Sequence, residues 1–184
     1  MSIRIKKTSL NGVIIIEPEI FQDERGSFHE SFNFNELSGF IDNNHSFVLD
    51  CHSHSKKNVL RGLHYQLNNP QGKLVRVIHG EIQDVVVDLR RHSETFSKHI
   101  SVNLSSESLK QLWIPPGFAH GFLVKTKTAD VLYKMTNFWD KDDERCILWN
   151  DKTLDIQWEI NKKEPLISPK DNNGCKFLEA EYFD

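Results

Sequence analysis

Lys73-Leu74-Val75-Arg76-Val77-Ile78-His79-Gly80-Glu81-Ile82-Gln83-Asp84-Val85-Val86-Val87-Asp88-Leu89 is the stretch that decides the architecture. Two runs rich in β-branched residues flank a His79-Gly80 turn signal, and both have strand rather than helix length. Working outward, similar short runs recur at 13–16 and 131–134. Turn signals punctuate the chain at Asp23-Glu24-Arg25-Gly26, Asn68-Asn69-Pro70, Pro115-Pro116-Gly117 and Asn150-Asp151. Short strands at this spacing predict an all-β sandwich or barrel. Helical spacing is confined to 33–40, where Phe34, Leu37 and Phe40 recur, and a second short helix is expected after Asn150 with Asp151 as its cap. No repeat, linker or low-complexity segment interrupts the pattern, so residues 1–184 read as one domain.

A net charge of −3 gives no field that would attract nucleic acid or an anionic membrane, so an anionic ligand has to be held by a few placed cations. Cys51, Cys146 and Cys175 are odd in number and far apart, which fits neither a disulfide framework nor a Cys-x-x-Cys pair. The first ten residues lack a signal-peptide core, and no apolar run approaches the roughly 18 residues of a membrane span. A cytoplasmic protein is expected.

Strict alternation assigns faces. Lys73 shares a face with Val75 and Val77; Tyr133 shares one with Val131 and Met135; His120 shares one with Phe118, Phe122 and Val124. A lysine, a tyrosine and a histidine facing one interior suit a small-molecule pocket in a barrel. Two readings of the histidines then compete. His52, His54, His64 and His120 together offer a metal-ligand set, and Pro115-Pro116-Gly117-Phe118-Ala119-His120 has a spacing used by metal-binding barrels. Lys56 and Lys57, however, stand where a carboxylate ligand is needed. Alternatively, His52 and His54 are rim residues. His64, in the apolar run Val59-Leu60-Arg61-Gly62-Leu63-His64-Tyr65-Gln66, is then a buried base oriented by a carboxylate such as that in Ser168-Pro169-Lys170-Asp171.

Six strings taken in order resemble one family, the dTDP-4-keto-6-deoxyglucose (dTDP-4-dehydrorhamnose) 3,5-epimerases of the cupin superfamily. They are Arg25-Gly26-Ser27-Phe28-His29-Glu30, the 59–66 run, Gln71-Gly72-Lys73-Leu74-Val75-Arg76-Val77, Asp84-Val85-Val86-Val87-Asp88-Leu89-Arg90, Ile114-Pro115-Pro116-Gly117-Phe118-Ala119-His120-Gly121-Phe122 and the 168–171 string. The resemblance implies a cupin-type jelly-roll (double-stranded β-helix) barrel with a few short flanking helices. It also implies a nucleotide-sugar substrate, a homodimer, and no cofactor or metal. By the same resemblance His64 is the base, Asp171 fixes its tautomer, Lys73 stabilises charge on the C4 oxygen and Tyr133 returns a proton to the other face. Arg25 and Arg61 match diphosphate-binding positions, Phe28 and Glu30 lie near the nucleotide base, and Trp139 stands where a tyrosine usually stacks on it. Gln66, His120, Phe122 and Cys51 match the pocket wall.

The chain departs from the family at Leu49 and Cys51, where a glutamine and an asparagine usually contact the sugar; a shift in substrate preference is expected from that loss. Alternation also sets Arg61 and His64 on opposite faces, so placing both in one site needs a bulge at Gly62.

Overall fold

The computed structural model describes residues 3–41, 46–160 and 164–184. Two antiparallel sheets carry the fold. The larger is built from β1 (Ile3–Lys7), β2 (Ile14–Pro18), β5 (Leu49–Lys56), β7 (Lys73–His79), β10 (Gln111–Ile114) and β12 (Thr128–Met135), in the order β1-β2-β10-β7-β12-β5. The smaller contains β6 (Leu60–Gln66), β8 (Glu81–Asp88), β9 (His99–Ser105), β11 (Phe118–Val124) and β13 (Glu144–Cys146), in the order β13-β6-β11-β8-β9. A separate hairpin pairs β3 (Phe21–Asp23) with β4 (Gly26–Phe28). The two sheets face each other as the jelly-roll barrel expected, because each apolar face needs a partner to leave water.

Three apolar clusters explain the sequence pattern. Between the sheets, Val75, Val77, Leu112, Ile114 and Val131 meet Ile82, Val86, Phe118, Phe122 and Val124. Behind the smaller sheet, Leu63, Val85, Val87 and Ala119 pack under Ile147, Leu154, Phe177 and Ala180 of the C-terminal segment. Outside the larger sheet, Ile14, Ile16, Leu74 and Trp113 are covered by Leu37 and Ile41. The smaller sheet is therefore buried on both faces, which is why Val85-Val86-Val87 is a continuous apolar run rather than an alternating one. Each fully buried valine or leucine contributes about 1.5–3 kcal/mol by leaving water.

The helices are shorter than the spacing suggests. Helix α1 covers Phe34–Leu37, with the Asn33 side chain accepting from the Asn35 N–H, and Phe40 lies beyond it, exposed. Directly after Asn150 the described residues make a turn at 152–155 rather than a helix. Asp151 does take up capping bonds, accepting from the N–H groups of Thr153 and Leu154, but its second oxygen accepts from Phe177 N–H. That bond ties the turn to the C-terminal segment instead of letting a helix propagate. Helix α2 (Pro169–Asn172) is capped by Ser168, whose hydroxyl accepts from the Asp171 N–H at 3.1 Å.

Candidate active site

Strand β6 carries the local irregularity that builds the site. His64 pairs with His120 and Arg61 with Phe122, so β6 spends three steps where β11 spends two. The extra residue resets parity, and Arg61 and His64 reach the same cleft. Gly62 has φ +113°, and a Cβ there would lie 2.6 Å from both the Gly121 Cα and the His120 carbonyl oxygen. Only glycine fits that close approach. Its N–H donates to Asp171 Oδ2 at 3.2 Å.

Asp171 is thus held from two sides, and His64 Nε2 lies 2.6 Å from its Oδ1. Burial pushes the Asp171 carboxyl up, but the His64 bond and charge, the Gly62 N–H and the Ser168 hydroxyl outweigh it and hold the group below its ordinary value. An ionised Asp171 fixes the proton on Nε2 and leaves Nδ1 as the basic nitrogen. Asp171 is buried, whereas the His64 side chain keeps about a quarter of its surface exposed. A base with a buried orienter and an open edge can take a proton from a ligand in the cleft.

The cleft encloses about 220 Å³ between the two sheets. His64 and Arg61 line it from the smaller sheet; Lys73 and Tyr133 line it from the larger one, in the inward orientation that alternation assigned. The Lys73 ammonium lies 3.5 Å from the His64 carbonyl oxygen, and burial lowers its pKa to about 8. Tyr133 shares a 2.9 Å hydrogen bond with Ser53, and burial raises its pKa, so the phenol stays protonated at neutral pH. The Arg61 Nε donates to Ser55 at 3.0 Å, which aims the guanidinium along the wall.

His120 and Phe122 complete the wall, each ring lying beside Tyr133 at 6.4 and 6.3 Å respectively between centroids. His120 Nε2 is 2.8 Å from Asp84 Oδ2; Asp84 is fully buried, which raises its pKa, and its Oδ1 has no hydrogen-bond partner among the described residues. Trp139 lines the cleft and is 55% exposed, so one face is open to stack on a ligand.

Other expected residues sit elsewhere. Arg25 and Phe28 lie on the exposed β3–β4 hairpin, Arg25 paired with Asp23 and Phe28 60% exposed, and neither lines this cleft. Glu30 does not line it either and accepts from Asn33 Nδ2 at 3.0 Å. Gln66 is buried behind the wall, where its amide donates to the carbonyls of Asn69 and Phe138 and accepts from Asp140 N–H. It braces the loop that presents Trp139. Cys51 shares the inward face of β5 with Ser53 and pairs in register with Tyr133.

The four-histidine metal set is not assembled. His52 and His54 alternate with Ser53 and point away from the cleft, each 2.9 Å from Asp130 Oδ1 on the outer face. Sequence reasoning missed Glu144, which lines the cleft and pairs with Lys170 beside Asp171. Glu144 falls in the run Asp142-Asp143-Glu144-Arg145, which has the appearance of a solvated charge cluster.

With this geometry in place, comparison with known proteins is decisive. The family model described as dTDP-4-dehydrorhamnose 3,5-epimerase matches residues 7–179. A dTDP-4-dehydrorhamnose 3,5-epimerase of Shigella flexneri is 52% identical, covering 96% of this chain and 97% of that protein. The crystal structure of the Elizabethkingia anophelis dTDP-4-dehydrorhamnose 3,5-epimerase superposes with a TM-score of 0.94 at 42% identity, over 99% of this chain and 100% of that one. The Legionella pneumophila enzyme, solved in complex with dTDP-4-keto-L-rhamnose, gives the same TM-score and identity over 97% and 95%. The chain belongs to the dTDP-4-dehydrorhamnose 3,5-epimerase family.

Proposed function

We propose that this enzyme inverts C3 and C5 of dTDP-4-keto-6-deoxyglucose, with His64 as base, Lys73 as oxyanion stabiliser and Tyr133 as acid. The observation that carries the reading is the His64–Asp171 dyad on one wall of a cleft whose other wall presents Lys73 and Tyr133. The C–H bonds beside the C4 ketone are acidified by it. His64 Nδ1 takes one such proton, and the resulting enolate oxygen is held by the Lys73 ammonium. Tyr133 then delivers a proton to the opposite face of the same carbon. The enzyme is left with a charged imidazole and a phenolate, and exchange with solvent restores both. The ligand of the Legionella pneumophila relative, dTDP-4-keto-L-rhamnose, supports this choice of sugar.

Arg61 is the diphosphate contact and Trp139 the platform for the base. The exposed β3–β4 arm, with Phe21 45% and Phe28 60% exposed, supports a homodimer in which Arg25, Phe28 and Glu30 serve the partner's cleft. Three free cysteines fit a reducing cytoplasm. No helix among the described residues is long and apolar enough to cross a membrane.

Two variants test the roles. His64→Asn is expected to abolish both proton exchange and inversion. Tyr133→Phe is expected to keep exchange of the substrate proton with solvent while losing inversion, because the base survives and the opposite-face acid does not. Full inversion by Tyr133→Phe would refute the assignment of the acid.

A further inference from the structure

Cys146 has no part in the chemistry above, yet it stands in register directly opposite His64 on the neighbouring strand. One ligating atom each from His64, Cys146 and Asp171 lie within 4.8 Å of one another. The thiol makes a long polar contact, 3.7 Å to the Ile147 carbonyl, and no stronger bond commits it among the described residues. Nitrogen, thiolate and carboxylate are the ligand types that Zn²⁺ takes, at roughly 2.0–2.3 Å. Tetrahedral placement at those lengths needs ligand atoms roughly 3.3–3.7 Å apart, so side-chain rotations on the scale of 1 Å suffice. Access is open because His64 lines the cleft.

We propose that Cys146, His64 and Asp171 form an inhibitory site for a thiophilic divalent cation such as Zn²⁺. The cation takes the place of the proton between His64 and Asp171; that proton moves through solvent to Nδ1, so the imidazole stays neutral, while the Cys146 thiol proton is released to solvent and no electron moves. Water completes the fourth position. The base loses the proton arrangement that orients it, and turnover stops until a chelator removes the metal. The inhibitory effect rests on His64 and Asp171 being the catalytic dyad; the binding itself does not.

The exposed His52–Asp130–His54 group is the natural competitor, since both imidazoles lie 2.9 Å from one carboxylate oxygen. Wild type, Cys146→Ser and a His52→Ala/His54→Ala double variant would each be titrated with ZnCl₂ in a turnover assay and with CoCl₂ by absorption. Expected are micromolar Zn²⁺ inhibition of wild type reversed by EDTA, and at least about a tenfold weaker effect on Cys146→Ser. A cobalt–thiolate charge-transfer band should appear in wild type and the double variant and be missing from Cys146→Ser. Equal Zn²⁺ sensitivity of Cys146→Ser and wild type would overturn the proposal, as would loss of inhibition in the double variant. A cobalt–thiolate band without any inhibition would keep the cation site, overturn its inhibitory role, and count against His64 as the base.

Discussion

Lys73→Met is expected to make the protein more stable while removing most of its activity. Burial brings the Lys73 pKa from 10.5 to about 8, so the folded protein holds this ammonium at a cost the unfolded chain does not bear. A gap of that size is worth about 3 kcal/mol at neutral pH, at about 1.4 kcal/mol per tenfold change in protonation equilibrium. Methionine has a similar reach and packs without a charge. It gives up the 3.5 Å contact to the His64 carbonyl, which is too long to contribute much. A net gain of about 2 kcal/mol remains, or about 4–8 °C in Tm for a chain of this size. The sign follows from proton counting. Between about pH 8 and 10.5 the unfolded chain binds the proton that the folded protein has released, so wild-type stability rises with pH across that window. The advantage of Lys73→Met is therefore full below pH 8 and gone by about 10.5. Thermal unfolding of both proteins at equal concentration at pH 7 and pH 10 measures it. A destabilised Lys73→Met at pH 7, or a difference that does not shrink with pH, would refute the reasoning. The same variant should lose about 10²–10³ in kcat/KM, the usual cost of removing an oxyanion donor.

Further expectations can be checked with the same preparation. Wild-type kcat/KM should fall above about pH 8 as Lys73 loses its proton, and the limb should move alkaline in Lys73→Arg if that variant remains active. Asp171→Asn should keep the fold but lower kcat by about 10³–10⁴, because an amide cannot hold the Nε2 tautomer against the imidazolium. Gly62→Ala should cost about 2–3 kcal/mol or more in chemical denaturation, since a positive φ and a 2.6 Å backbone clash coincide. Leu49→Gln/Cys51→Asn, on the inward face of β5, should shift kcat/KM ratios among 4-keto sugar nucleotides; an unchanged ratio would make those positions neutral.

Much of this site was legible because strand alternation is a hard constraint. Lys73 and Tyr133 face inward for the same reason as Val75 and Val131 beside them. Alternation failed at Arg61 and His64, and Gly62 was the visible sign of the bulge that brings them together. The helix expected after Asn150 did not form because Asp151 spends a carboxylate oxygen on Phe177, a long-range bond that no local pattern reveals. His52 and His54 looked like a ligand pair, and they are indeed on one face, but it is the outer one, where Asp130 receives both. Glu144 was missed because its sequence neighbours are charged, which reads as a solvated run, and its own position depends on β13 pairing with β6.

Proton NMR of the wild-type enzyme with dTDP-4-keto-6-deoxyglucose in D₂O tests the central claim most directly. Deuterium should enter at both C3 and C5, with inversion at each, and His64→Asn should show neither. Exchange at one carbon alone would contradict the double epimerisation, and no exchange at either would contradict the proposed substrate.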